Sequence, residues 1–251
     1  MSFLASIEPG TWALFGAFWS LVLGTAWFGG GISVFFNRKM DDWMLDGVSL
    51  FVQGAVIPLC QVFLVAALLS RLAPSTAGTL VLDPLLSFAL CFVGVDYLYY
   101  WNHRILHTPK LWPIHLVHHT APQMDVLTTS RNTVWTSFFI VYLWVNGAVV
   151  YLLADPTPYA AAITATAILD LWRHSPLQPS GSLEKLLGSF LIMPRDHAWH
   201  HSQDVYDVNF GANFNFWDKL HSTWHPSEGQ PQELGVKTDI SLVSRLLWPF
   251  E

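Results

Sequence analysis

Long runs without a charged residue divide the chain. Such runs extend from Thr11 to Asn37, from Gly47 to Ser70 and from Asn132 to Ala154. Each exceeds the roughly 20 residues that an α-helix needs to cross a bilayer. Two shorter apolar runs follow Asp83 and Thr157, and Asp83 with Pro84 is typical of a helix start. The pattern predicts an all-α, multi-pass transmembrane helical bundle of four or five spans, at about 11–36, 47–70, 84–102, 132–154 and 158–172.

The basic residues favour one orientation of this bundle. If the segment before the first span lies outside, eleven of the twelve Lys and Arg residues fall on the cytosolic side, and only Arg71 lies opposite. The first run is too long for a cleaved signal and lacks a basic region before it. We therefore expect one membrane-embedded domain over 1–251, with a cytosolic helical cap formed by about 103–131 and 173–251. All eleven histidines fall on that cytosolic side.

The composition agrees with a membrane protein. Apolar residues make up 52% of the chain and charged residues 12%, against about 25% charged residues in soluble domains. The net charge of −6, without a basic stripe, excludes nucleic acid as a partner. Cys60 and Cys91 lie inside apolar runs and are predicted to be small buried residues. The closing sequence carries no ER-retention signal, which favours a bacterial inner membrane over an ER membrane.

Histidines are concentrated in three short motifs, "HRILH", "HLVHHT" and "HAWHH", and a further histidine, His174, ends the last apolar run. Residues i, i+3 and i+4 of an α-helix lie within about 100° of arc, so each motif points its rings into one sector. Imidazole suits Zn, Fe, Cu and Ni, and eight clustered rings exceed the four ligands of one structural zinc. The motifs therefore predict two metal ions at a catalytic site formed by His103, His107, His115, His118, His119, His174, His197, His200 and His201.

Polar residues near these motifs are candidates for hydrogen bonds to the metal ligands. Asp170 precedes His174 by four residues and Asp96 precedes His103 by seven, so each pair shares a helix face. The predicted cap offers three more such residues, Asp207, Asn209 and Asp218. Outside the motifs, His225 is predicted to be an interfacial residue, and His221 stays open as a tenth ligand.

The three motifs, followed by "DVNFGANFNFWDKLHSTW", resemble the fatty acid hydroxylase and sterol desaturase superfamily. The similarity extends from about Asp96 to Trp224. The chain departs from many relatives at Thr133 and Val134, where those carry a His-Pro pair. The resemblance implies two iron ions on the motif histidines, replaceable by zinc on purification, and dioxygen as co-substrate. It also implies a lipid or other apolar substrate entering from the bilayer, and an external electron donor such as a ferredoxin, a cytochrome or a reductase.

A membrane di-iron oxygenase of this kind hydroxylates or desaturates an unactivated C–H position, and the residues do not separate these two reactions. Two other classes remain open from the residues alone. A metal transporter or sensor would carry ionisable residues within its spans to pass the ion, and the three long runs contain none. A zinc-dependent lipid hydrolase would place a Glu beside its ligands, as in HExxH, and no motif here contains one.

Overall fold

The structure, a computed structural model, describes residues 3–29, 31–205, 207–226 and 229–250, and for residues 3–8 it describes the backbone alone. All regular elements in these ranges are helical, and they contain no β-strand, which confirms the all-α prediction. The helices are α1 (Phe3–Phe28), α2 (Ser33–Phe36), α3 (Met40–Leu72), α4 (Pro84–Leu106), α5 (Trp112–Leu116), α6 (Val141–Leu152), α7 (Thr157–Arg173), α8 (Gly181–Gly188), α9 (Pro194–His200), α10 (Phe216–Leu220) and α11 (Leu242–Leu247).

Three of these helices are long and apolar enough to cross a membrane: the Pro9–Phe28 part of α1, α3 and α4. The apolar helix α6 has 12 residues, about 18 Å at 1.5 Å per residue, which is less than the roughly 30 Å of a hydrocarbon core. Helix α7 packs against α1 and α4, and α6 packs against α3 and α4. The five apolar helices therefore form one bundle, although only three of them meet the criteria for a full span.

Helix α1 ends at Phe28, so the prediction of a single span over 11–36 was wrong for its last eight residues. Gly31 has a φ of +92°, a backbone conformation that glycine adopts without steric cost. The chain turns there and resumes as the four-residue helix α2.

Helix α3 begins at Met40, seven residues before the predicted span. Its first turns are acidic and lay outside the predicted span, but their carboxylates are paired. Asp46 accepts hydrogen bonds from Arg38 and, at 3.0 Å, from Arg131, and Arg131 also contacts Asp42 at 2.5 Å. Because partners compensate these buried charges, the helix extends through them.

The segment 132–140 was predicted to be part of a span, but it contains only a short 3-10 helix at Thr136–Phe139, and the α-helix α6 starts at Val141. The backbone of this segment binds polar side chains of α3 instead. Gln53 donates to the carbonyl of Thr133 and accepts from the amide of Ser137 (3.1 Å), and Ser49 donates to the carbonyl of Asn132 (2.8 Å). Gln53 lies in a π-helical turn, Val52–Val56, within α3.

Helix α4 starts as expected, since the Asp83 carboxylate accepts from the amides of Leu85 (2.9 Å) and Leu86 (3.2 Å). It continues past the predicted end at 102 to Leu106 and so carries the first histidine motif, after a π-helical turn at Leu90–Val95. Cys91 is buried, but Cys60 is exposed on α3, so the prediction for Cys60 was wrong. An outward-facing position in a membrane helix is apolar because lipid surrounds it.

Candidate metal centre

The nine histidines singled out from the sequence come together at one end of the bundle, in two groups. In each group the metal-binding atoms lie within 4.8 Å of one another. The five-histidine group consists of His103, His107, His115, His119 and His200. The four-histidine group consists of His118, His174, His197 and His201. Each group has enough ligands to hold a transition-metal ion of its own.

Each HxxHH motif is divided between the two groups, which corrects the expectation that its rings share one sector. In the first, His115 and His119 belong to the five-histidine group and His118 to the other. In the second, His197 and His201 belong to the four-histidine group and His200 to the other. Positions i and i+4 are about 40° apart around a helix, whereas i+3 and i+4 are about 100° apart. Each motif therefore bridges the two groups.

In the four-histidine group, the Nε2 atoms of two rings face each other as acceptors. The Nδ1–H of His118 donates to the carbonyl of Arg131 (3.2 Å), and that of His174 donates to the carbonyl of Asp170 (2.8 Å). In the neutral rings both Nε2 atoms then carry lone pairs, yet they are 3.4 Å apart, and His197 Nε2 is 3.0 Å from His174 Nε2. A cation shared by these atoms removes the repulsion, so the residues fit a bound metal ion.

In the five-histidine group, too, backbone carbonyls orient rings and ring nitrogens remain without a partner. His103 and His200 donate through Nδ1 to the carbonyls of Phe210 (2.8 Å) and Val208 (2.6 Å). The Nε2 atoms of His107, His119 and His200 are buried and find no hydrogen-bond partner among the residues that the structure describes. Buried nitrogens without partners are costly in a folded protein, and a metal ion would satisfy them.

Burial favours the uncharged form of five of the rings. It lowers the pKa of His107 to about 2, helped by the neighbouring His200, and it lowers the pKa of His200 to about 4. Burial likewise lowers the pKa of His118, His119 and His197 well below the usual range. Neutral imidazole is the form that binds a metal, so the site is in its ligating form at neutral pH.

Backbone carbonyls hold several of the rings, and no motif in the sequence indicates these carbonyls. The carbonyls of Val208 and Phe210 belong to the "DVNFG" segment, and that of Arg131 follows the first HxxHH motif. Asp218 accepts from the amides of Phe210 and Gly211 at 2.8 Å each, so it fixes the segment rather than a ligand. A carbonyl partner fixes ring orientation as a carboxylate does, but any residue type can supply it.

Two of the predicted carboxylate partners do contact ligand rings. The Asp170 carboxylate lies 3.1 Å from His174 Nδ1, beside the shorter bond to the Asp170 carbonyl. Asp207, exposed at the surface, lies 3.2 Å from His107 Nδ1.

Two other candidates serve the fold instead. The Asp96 carboxylate accepts from the amide of Asn213 and the indole of Trp217, at 2.8 Å each, and so ties the cap to α4. Asn209 donates to the carbonyl of Asp196 at 2.9 Å. The expectation that Asp96 supports His103 was therefore wrong.

The two remaining histidines lie outside both groups. His221 Nε2 and the Tyr97 hydroxyl form a hydrogen bond of 3.1 Å. The ring of His221 also stacks on that of Tyr100, with ring centroids 5.1 Å apart. His225 packs against Trp199. Within the described chain, His221 is therefore not part of the ligand set that the geometry assembles.

Two cavities are lined by the histidines, and a third shares residues with one of these two. The inner cavity, about 80 Å³, is lined by ligands of both groups, including His103, His115, His118 and His174. The membrane cavity, about 140 Å³, lies between α4, α6 and α7, and shares Tyr99, Tyr142 and Asp170 with the inner cavity. The outer cleft, about 330 Å³, is lined by His107, His119 and His200 and shares no lining residue with the other two cavities. The membrane cavity thus adjoins the inner cavity through shared residues, and the outer cleft adjoins the centre separately.

An all-helical bundle with membrane-spanning helices and a buried polyhistidine centre defines a class of membrane metalloproteins. The family model for fatty acid hydroxylases matches residues 88–223, more than half of the chain. The chain belongs to the fatty acid hydroxylase family, within the fatty acid hydroxylase and sterol desaturase superfamily, as the motifs had predicted.

Several named relatives are similar over the same region. Alkylglycerol monooxygenase of Danio rerio is 32% identical over 55% of this chain and 30% of its own length. Ornithine lipid hydroxylase OlsE of Rhizobium tropici is 30% identical over 60% of this chain and 46% of its own. Methylsterol monooxygenase 2-1 of Arabidopsis thaliana is 25% identical over 53% of each chain. The chain thus spans about half or less of these relatives. No solved structure matches it.

Proposed function

We propose that this protein is a membrane di-iron oxygenase that hydroxylates or desaturates an unactivated C–H position of a lipid or another apolar molecule. The observation that carries the proposal is the pair of histidine groups, in which nitrogens with lone pairs face one another beside a cavity open to the apolar helices. The names of the relatives, which include a monooxygenase of alkylglycerols and a hydroxylase of ornithine lipids, support lipid oxidation.

In this proposal each group holds one iron ion. His103, His107, His115, His119 and His200 form the first ligand set, and His118, His174, His197 and His201 form the second. With iron bound, the centre would supply the reduction of dioxygen, which takes up two external electrons and two protons. In hydroxylation, one oxygen atom would enter the substrate and the other would leave as water. All nine histidines are the catalytic and metal-binding residues that we propose.

The protein itself supplies position and a dry environment. His103 and His118, one from each group, both line the inner cavity, so a carbon placed there lies beside both metal sites. Tyr99 and Tyr142, with ring centroids 5.3 Å apart, separate this space from the membrane cavity. A lipid chain entering between α4, α6 and α7 would pass these rings, and the enclosed site would limit access of water to the reaction.

The outer cleft is the proposed route for dioxygen and electrons. It is lined by His107, His119 and His200 of the five-histidine group and by the exposed Asp207, and it shares no lining residue with the membrane cavity. Substrate and electrons would then reach the centre by separate routes. The electron donor would be a separate protein such as a ferredoxin, a cytochrome or a reductase.

We further propose that α6 and α7 complete a bundle of four or five spans, in one domain, with the histidines on the cytosolic side. The ends of the helices support this orientation. Arg71 lies at the end of α3 remote from the histidines, whereas Arg38, Arg104, Arg131 and Arg173 lie towards them. A bacterial inner membrane fits best, and an ER membrane is the eukaryotic equivalent.

The test compares the lipids of cells that express the protein, cells that express a His200→Ala variant, and cells that express neither. The proposal expects a lipid that has gained one oxygen atom or lost two hydrogen atoms, only with the wild-type chain and only in the presence of dioxygen. A metal transporter or a lipid hydrolase would give no such product. Identical lipids in all three cultures, with a reductase supplied and the protein in the membrane, would contradict the proposal.

A further inference from the structure

Arg173 is a buried cation at the end of α7 that the metal centre does not use directly. Its side chain is 2% exposed and lines the membrane cavity. One nitrogen, Nη2, contacts the Asp170 carboxylate at 2.6 Å and the Tyr99 hydroxyl at 3.4 Å. The other two, Nε and Nη1, find no hydrogen-bond partner in the described ranges of the chain. Unpaired guanidinium N–H groups are costly in an apolar environment.

The ion pair with Asp170 neutralises the charge of Arg173 but leaves two of its nitrogens free to donate hydrogen bonds. The Asp170 carboxylate balances the guanidinium at 2.6 Å, and a second carboxylate, that of Asp96, also lines the membrane cavity. Both carboxylates would repel an additional anion. An uncharged oxygen would accept hydrogen bonds from the free N–H groups of Arg173 without such repulsion. The remaining wall is largely apolar, with Val95, Leu143 and Ile163 among its residues.

The position of Arg173 relates this donor pair to the metal ligands. Arg173 and His174 are adjacent in the chain and contact the same carboxylate oxygen of Asp170. Asp170 also lines both the membrane cavity and the inner cavity. A group held by Arg173 would therefore lie at the junction of the two cavities, with a few bonds of the substrate extending to the histidines.

We propose that Arg173 is a substrate-positioning residue, whose Nε and Nη1 donate to an uncharged acceptor oxygen of the lipid: the ester, ether or amide oxygen at which chain and headgroup join. The proposal rests on the proposed function and narrows its substrate to lipids with such a linkage. It also places the carbon to be oxidised near the linkage and not at the far end of the chain.

The test measures binding without turnover. The full chain is purified in maltoside micelles and loaded with zinc, which carries no redox chemistry. The probes are methyl laurate with a ¹³C carbonyl, tridecane as the chain without an acceptor, and laurate as the charged form. Hydrogen bonds to charged groups correspond to about 10- to 100-fold in affinity. We expect methyl laurate to bind more tightly than tridecane by that factor, and its carbonyl stretch to move to lower frequency when bound.

Variants separate positioning from structure. Arg173→Met should remove both the preference for the ester and the infrared shift. Arg173→Lys keeps a cation for Asp170 but not the paired donors, so it should retain zinc while losing most of the preference. Arg245→Met, in the cap and outside both cavities, is the matched control and should bind as the wild type does. Zinc content is measured for each protein, so failure of the metal centre is seen separately.

Several results would overturn the proposal. An unshifted carbonyl band of bound methyl laurate in the wild type would do so without any variant. Equal binding of ester and tridecane, or an ester preference that survives in Arg173→Met, would assign Arg173 only to holding Asp170. Tighter binding of laurate than of its ester would show that charge is recognised instead.

A paramagnetic probe tests the placement of the linkage. With Co²⁺ in place of zinc, the ¹³C carbonyl of bound methyl laurate should broaden more than a ¹³C label on its terminal methyl. Stronger broadening of the terminal methyl would place the far end of the chain at the histidines and contradict this part of the proposal.

Discussion

At the residue scale, the protein arranges neutral imidazoles so that their free nitrogens converge. Four Nδ1 atoms, those of His103, His118, His174 and His200, donate to backbone carbonyls, which leaves Nε2 of each ring as the ligand atom. The histidine identities were readable from the sequence because spacing and residue type are local. The carbonyl partners were not, because any residue type can supply a carbonyl and only the fold determines which one lies within reach.

Asp170 provides a prediction at this scale. Its carboxylate shares His174 Nδ1 with its own carbonyl, so Asp170→Asn removes one of two orienting contacts. Loss of such a partner typically costs about 10–100-fold in metal affinity or activity. Because the hydrogen bond from His174 to the Asp170 carbonyl remains, we expect the metal affinity of the purified variant to fall by about tenfold, the lower end of this range. The exposed Asp239→Asn is the matched control. Unchanged affinity in Asp170→Asn would leave the carbonyl as the sole orienting group.

At the element scale, polar residues decide where the apolar helices begin and end. Asp42 and Asp46 lie before the predicted span at 47–70, yet Arg131 and Arg38 neutralise them, and α3 includes both. The run from Asn132 suggested a helix, yet its backbone binds side chains of α3. Hydropathy therefore located the helices correctly but misjudged their ends, since long-range partners are not visible in a local pattern.

Gln53 provides the prediction at this scale. Gln53→Leu makes the π-helical turn apolar and leaves the Thr133 carbonyl and the Ser137 amide without this partner. An unsatisfied buried polar group costs about 1–3 kcal/mol, so the variant should unfold at a lower temperature than the wild type in the same detergent. Gln232→Leu, at an exposed position, should leave the midpoint unchanged. Equal midpoints for the two variants would show that Gln53 does not hold the 132–140 segment.

At the scale of the whole molecule, two separate cavities, which share no lining residue, lie near the histidine centre. The membrane cavity lies among α4, α6 and α7, and the outer cleft opens through the cap. The sequence predicted a helical bundle with histidines at one end, because apolar runs and basic residues are readable along the chain. It did not reveal the cavities or Arg173's role at their junction, since these arise from contacts between helices distant in sequence.

Topology gives the prediction at this scale. With Cys60 and Cys91 replaced by serine, a single cysteine is placed at Lys237 in the cap or at Ser75 between α3 and α4. An impermeant thiol reagent added outside intact bacterial cells should label the cysteine at position 75 and not that at 237, because we place the cap in the cytosol. Permeabilised cells, in which both should react, are the control. Labelling at 237 and protection at 75 would reverse the orientation.

The metal stoichiometry of the purified protein tests the central claim most directly. Elemental analysis of the intact, folded chain should find two transition-metal ions per chain. His200→Ala, in the five-histidine group, and His197→Ala, in the four-histidine group, should each lower that number towards one, whereas His221→Ala, outside both groups, should leave two. One ion or none in the folded wild type, or two ions retained in both ligand variants, would contradict the account.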